Sequence, residues 1–234
     1  MPAALDIAHN NILPWCASAG FAFGLSCFFT KRRKMAKIPD LTIMKSNHGK
    51  SFAFPDIIET IYDRKVIKFS NPSLLLQLKS AANNTISIIN SLPGWTGRVN
   101  EFGNYVEIKF AEECLKLGLK YTSPKTTKGG IRATGYPDGF IDDAYPCYVE
   151  IKTYADGSEN SSFRSFYFSP SASPKITQDA SHLLVGFATT KTARLVSGKA
   201  HFTDMFLKQV KLKLEFQQNN KHIYNPAQLL QGQL

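Results

Sequence analysis

Three residues carry the chemistry most open to reading. Asp138 lies in the run 135–142, and Glu150 and Lys152 lie in the run 145–153, with eleven residues between the two acids. Successive side chains on an extended strand point to opposite faces, so Glu150 and Lys152 project together while Val149 and Ile151 take the other side. If the two runs pair as neighbouring strands, Asp138 comes beside Glu150. Two anions held together demand a cation, and hard oxygen donors suit Mg²⁺, which is commonly held by one or two carboxylates, waters and a phosphate. An ammonium beside such a pair can orient water or stabilise developing negative charge.

Local context separates this trio from its imitators. Pro-Asp also occurs at Pro39-Asp40 and Pro55-Asp56, and an acid two residues before lysine occurs at Asp63 and at Glu107. Asp56 starts a helical run and Asp63 follows no strand. Glu107 and Lys109 fall on a helix, where residues two apart do not face each other. Asp142 and Asp143 are alternative ligands, but they occupy the expected hairpin turn and read as solvated turn residues.

The elements that must position the trio follow from spacing. Ile57, Ile58, Ile61 and Tyr62 recur at helical intervals, and Pro55 suits a first turn, which predicts a helix over 54–62. A second is opened by Asn71-Pro72 and stopped by Leu92-Pro93-Gly94. Tyr105, Val106, Phe110, Cys114 and Leu117 form one apolar stripe and Gly118 supplies a terminator, which predicts a third helix over 103–117. Residues 162–168 alternate as a strand, the apolar run 182–189 reads as a buried central strand, and 210–216 alternates again. Trp95 and Arg98 sit in a turn-rich link, read as a packed loop or an approach to a ligand.

The chain has 234 residues, 28 Lys plus Arg against 18 Asp plus Glu, and a formal net charge of +10. That length suits a single domain with an appendage, and the charge favours a polyanionic partner without specifying fold. Cys16, Cys27, Cys114 and Cys147 form no Cys-x-x-Cys pair, and no His-x-x-x-His occurs, which argues against a zinc hydrolase and for a reducing, cytoplasmic setting. Residues 12–29 are almost uncharged and precede Lys31-Arg32-Arg33-Lys34. Pro14, Gly20 and Gly24 weaken that run as a membrane helix, so a membrane role is not expected. The expected organisation is an N-terminal extension over 1–34 that need not belong to the folded domain, then one domain over 35–234. Within it, 35–100 is mainly helical, 101–190 is the core bearing the trio, and 191–234 holds C-terminal strands and loops.

The stretch from Pro137-Asp138 to Glu150-Ile151-Lys152 resembles the active-site motif of the PD-(D/E)XK nuclease superfamily, which includes many type II restriction endonucleases. The resemblance spans residues 103–189. It implies an α/β fold with a mixed central β-sheet flanked by helices, restriction-endonuclease-like. It also implies Mg²⁺ on Asp138 and Glu150, with Lys152 acting on the attacking water during phosphodiester hydrolysis. Glu107 resembles the glutamate that a preceding helix often sends to such a site; its other reading is a solvated carboxylate paired with Lys109 or Lys120. Lys125, Lys128, Arg164, Lys191 and Arg194 are candidate DNA contacts, each with the alternative of an ordinary solvated side chain. The implied partners are double-stranded DNA, a second copy of the chain in a homodimer, and a cognate DNA methyltransferase. The alternatives are a junction-resolving or repair nuclease, or a basic DNA-binding protein without catalysis.

Overall fold

The computed structural model describes residues 38–131, 135–161, 166–215 and 218–219. Backbone contacts set residues 1–41 apart from a unit spanning 42–234, and every described strand lies in the second unit. The expected boundary at residues 34 and 35 lies outside the described residues, as does the apolar run 12–29. Among the described residues no helix is long and apolar enough to cross a membrane.

Helix α1 (Ile38–Asn47) leads to strand β1 (Ser51–Ala53), α2 (Phe54–Tyr62) and β2 (Val66–Ile67). Two long helices follow, α3 (Pro72–Ser91) and α4 (Val99–Lys116), then β3 (Tyr121–Thr122), β4 (Gly139–Ile141) and β5 (Cys147–Ala155). The chain continues through β6 (Ala180–Thr189), β7 (Leu195–Asp204), a 3₁₀ turn at Met205–Leu207 and β8 (Gln209–Lys211).

Local chemistry accounts for several of these limits. The Asn71 side chain caps α3 by accepting the Leu74 N–H at 3.0 Å, and Pro72 occupies the first turn, where a missing donor does no harm. Helix α4 begins at Val99, ahead of the expected Gly103. The strand expected over 162–168 has no counterpart at 166–168, and Arg164 lies outside the described residues. Instead Phe166 and Phe168 stand edge-on to Phe54 and Tyr136, so aromatic packing overrides strand pairing there.

Strands β3, β4 and β5 form an antiparallel meander, β5 and β6 run parallel, and β7 returns antiparallel along β6. Strand β2 pairs in parallel with the first residues of β6, so β2 and β7 share the edge opposite β5. This mixed sheet flanked by helices is consistent with a restriction-endonuclease-like fold. Strands β1 and β8 pair apart from it as a two-stranded ribbon.

The alternation along β5 divides the interior in two. Val149 and Ile151, with Leu183, Val185 and Phe187 of β6, pack against Leu78 and Ile86 of α3 and Val106 and Phe110 of α4. Tyr148 faces the other way, onto Phe54 and Ile58 of α2, Tyr136, Ile176 and Met205. Full burial of a side chain such as Phe110 stabilises the fold by roughly 1.5–3 kcal/mol. The sheet is thus clamped from both faces, and β5 is held rigidly in the middle.

Candidate active site

The register of β4 on β5 sets Gly139 opposite Val149, so Asp138, immediately ahead of β4, comes opposite Glu150. The Asp138 N–H donates to the Val149 carbonyl at 3.1 Å, continuing the ladder by one bond. Its carboxylate turns back over β5, where Oδ2 accepts the Ile151 N–H at 2.8 Å. Lys152 Nζ lies 2.5 Å from Glu150 Oε1 and 3.6 Å from Asp138 Oδ2, and donates to the Ile151 carbonyl at 3.0 Å. One ammonium therefore gathers three oxygens on β5 and the turn that leads into β4. The three residues singled out by spacing stand together.

Burial gives this cluster its electrostatic character. The side chains of Glu150 and Asp138 are 4% and 15% exposed, and that of Lys152 is 30% exposed. Glu150 Oε2 is buried and has no hydrogen-bond partner. Burial, reinforced by the neighbouring Asp138 charge and opposed by Lys152, pushes the Glu150 carboxyl up to about 7. Burial alone would lower the Lys152 ammonium, but Glu150 and Asp138 outweigh it and hold the pKa above its ordinary value. An orphaned carboxylate oxygen beside a second acid is a costly arrangement for folding, and such perturbed clusters concentrate at functional sites.

Helix α4 presents Glu107 to the same region. Its carboxyl is raised by burial and then by the Asp138 charge, while Lys152 and Lys175 oppose the shift. The Tyr121 hydroxyl of β3 is also buried without a partner, and Asp138, Glu107 and Glu150 add to burial in holding its proton. Among the described residues no group of three His, Cys, Asp or Glu side chains is arranged to hold a metal ion. Two carboxylates suffice for Mg²⁺, which keeps waters and substrate oxygens in its remaining positions.

Lys125 and Lys128 are exposed on a tight loop where Lys125 bridges Ile131, and the Thr127 N–H ties that loop to the Pro174 carbonyl. Lys191 is exposed in the turn between β6 and β7. Arg194 directs Nη1 to the carbonyls of Ile89, Asn90 and Leu92, at 3.1, 3.0 and 2.6 Å, and so caps the C-terminus of α3. Asp142 and Asp143 are exposed in the turn, and Asp143 accepts the Ala144 N–H. Trp95 packs on Phe102 and Tyr105 and donates to the Arg98 carbonyl.

Sequence reasoning missed Lys175. It is 3% exposed, and its Nζ donates to the carbonyls of Gly135 and Pro137 at 2.8 and 2.9 Å. A lysine in a Ser/Pro-rich link carries no periodic signal, so only the fold brings it to notice.

Residues 43–227 match the family described as the Type II restriction enzyme MjaV family. The chain is 33% identical over 196 residues to the type II restriction enzyme MjaV of Methanocaldococcus jannaschii, an alignment covering 74% of this chain and 84% of that protein. No solved structure matches it. With a mixed sheet, an Asp–Glu–Lys cluster gathered on β5 and the turn into β4, and a family match over most of its length, the chain belongs to the MjaV family of type II restriction enzymes.

Proposed function

We propose that this restriction endonuclease hydrolyses phosphodiester bonds of double-stranded DNA at a specific sequence, with Mg²⁺ held by Asp138 and Glu150. The observation that carries the reading is the buried, unpartnered Glu150 Oε2 beside Asp138, with the Lys152 ammonium drawn between them. A single monovalent group satisfies only part of that oxygen set, and a divalent ion with its waters would satisfy the remainder. When bound, the ion supplies Lewis-acid polarisation of a phosphate oxygen and a lowered pKa for coordinated water.

The chain's own residues would do the rest. Asp138, held by the Ile151 N–H, and Glu150, held in the sheet, would hold the ion. Lys152, whose Nζ lies against both acids, would orient water and offset charge developing on the phosphoryl oxygens. Glu107, from α4, adds a third acid to the region and would position water at the rim. Exposed Lys125, Lys128 and Lys191 are proposed phosphate contacts, whereas the Arg194 guanidinium also serves α3. Two sites related by a two-fold axis would cut both strands in one encounter, so the proposed form on DNA is a homodimer. A cytoplasmic enzyme of this kind needs a methyltransferase of the same specificity to protect resident DNA.

The test is digestion of long DNA of known sequence with Mg²⁺, with and without a chelator. Discrete, reproducible fragments that vanish with chelator are expected. Wild-type cleavage rates in both Asp138→Ala and Lys152→Ala would overturn the assignment.

A further inference from the structure

Lysine is almost never buried unless its charge is met, because an ammonium removed from water carries a large desolvation cost. Lys175 is 3% exposed, and two of the groups its Nζ meets are main-chain oxygens on the turn that delivers Asp138. One of them, the Pro137 carbonyl, belongs to the peptide whose N–H is that of Asp138. That N–H donates to Val149 on β5, so this peptide plane is gripped at its oxygen by Lys175 and at its nitrogen by the sheet. The second bond, to Gly135, holds the turn two residues upstream.

The lysine is itself fixed on both sides. Pro174 accepts the Thr127 N–H, Ile176 is 2% exposed in the core around Tyr148, and the Thr177 N–H donates to the Tyr148 hydroxyl at 2.9 Å. Tyr148 lies on β5, two residues from Glu150. The same short segment thus references the Asp138 turn to the strand that carries the second acid and Lys152. Precise placement matters here because the ion's ligands must be held within about 0.5 Å, and losing a supporting contact typically costs about 10–100-fold in metal affinity or activity.

We propose that Lys175 is a positioning residue of the active site, fixing the peptide plane before Asp138 and so setting where the Asp138 carboxylate meets Glu150. This rests on the reading of Asp138 and Glu150 as Mg²⁺ ligands. The ammonium does not touch substrate; it acts through the backbone of the Asp138 turn.

The experiment compares Lys175→Met, Lys175→Gln and Asp138→Asn in full-length protein. Mg²⁺ binding is followed by titration calorimetry without DNA, and kcat and KM are measured on a duplex containing the cut site. Lys175→Met should weaken Mg²⁺ binding and lower kcat by about 10–100-fold, with KM for DNA held within about threefold. Lys175→Gln, whose amide keeps N–H donors for the same carbonyls, should fall between Met and wild type. Wild-type Mg²⁺ affinity and kcat in Lys175→Met, with Asp138→Asn inactive, would overturn the role of Lys175 alone. Loss of folding by circular dichroism in both Lys175 variants would make it a fold lysine and also overturn the proposal. Wild-type Mg²⁺ binding and cleavage in Asp138→Asn would instead remove the site reading underneath it.

Discussion

His182 shows what burial does to a single group in this interior. Its ring is fully buried, stacks on Tyr136, and places Nδ1 2.7 Å from the Tyr136 hydroxyl, while Nε2 has no partner. Burial lowers the pKa from an ordinary 6.5 to about 3, so the imidazole is neutral in the folded chain. Below pH 6.5 the unfolded chain takes up a proton that the folded chain refuses until about pH 3. The stability this group supplies is therefore complete above pH 6.5 and is lost as pH falls through that window. At pH 5.0 the loss from this one group is about 2 kcal/mol. Urea unfolding of wild type and His182→Phe at pH 7.5 and 5.0 should show the wild type losing more stability by that amount. Equal losses in the two proteins would show that His182 titrates normally when folded.

At the scale of elements, the pairing of β3 with β4 depends on the absence of one side chain. A Cβ at Gly139 would overlap the Tyr121 hydroxyl oxygen and Cζ, so the ring fills the space a side chain would need. Gly139→Ala should therefore destabilise at the upper end of the usual ~1–3 kcal/mol overpacking cost and displace Asp138 next door. Tyr121→Val removes the obstruction, so the double variant should be more stable than the sum of the two losses allows. Strict additivity in a double-mutant cycle would refute the steric account. This glycine lay within the motif yet gave no sign of its reason, because the ring that excludes a side chain there comes from β3 and reaches it only through the meander. The helices were the readable part. Strong apolar spacing and an Asn-Pro start placed α2 and α3 where they are found, whereas α4 begins at Val99, with Phe102 buried in the core ahead of the Gly103 that seemed to open it. Strand β7 went unread: it is half exposed and interrupted by Gly198, and it is strand because β6 offers it an edge. Asp138, Glu150 and Lys152 were legible because strand alternation brings them together. Lys175 was not, because its partners are main-chain carbonyls about forty residues away in sequence.

At the scale of the whole molecule, charge and symmetry govern how a site of two carboxylates reaches a polyanion. The acids of the proposed site would repel DNA, and the net charge of +10 over the full chain would have to overcome that while no cation is bound. Binding to duplex DNA in the presence of chelator should consequently weaken steeply with salt. Six phosphate contacts would lower affinity by about 10³ between 50 and 200 mM salt, and charge removal at Lys125 or Lys128 should reduce the slope of log K against log salt by about one for each phosphate left unneutralised. An unchanged slope in Lys125→Gln and Lys128→Gln would place the DNA elsewhere on the surface. A single site in a monomer cuts one strand, releases or reorients, and cuts the other, so nicked plasmid accumulates. Two sites brought together by a two-fold axis on one recognition sequence cut both strands in a single encounter. Supercoiled plasmid bearing one site should pass to linear product with little nicked circle, and the enzyme should sediment as a dimer on a short cognate duplex. A persistent nicked intermediate together with a monomeric complex would exclude the two-fold arrangement and leave each chain to cut alone.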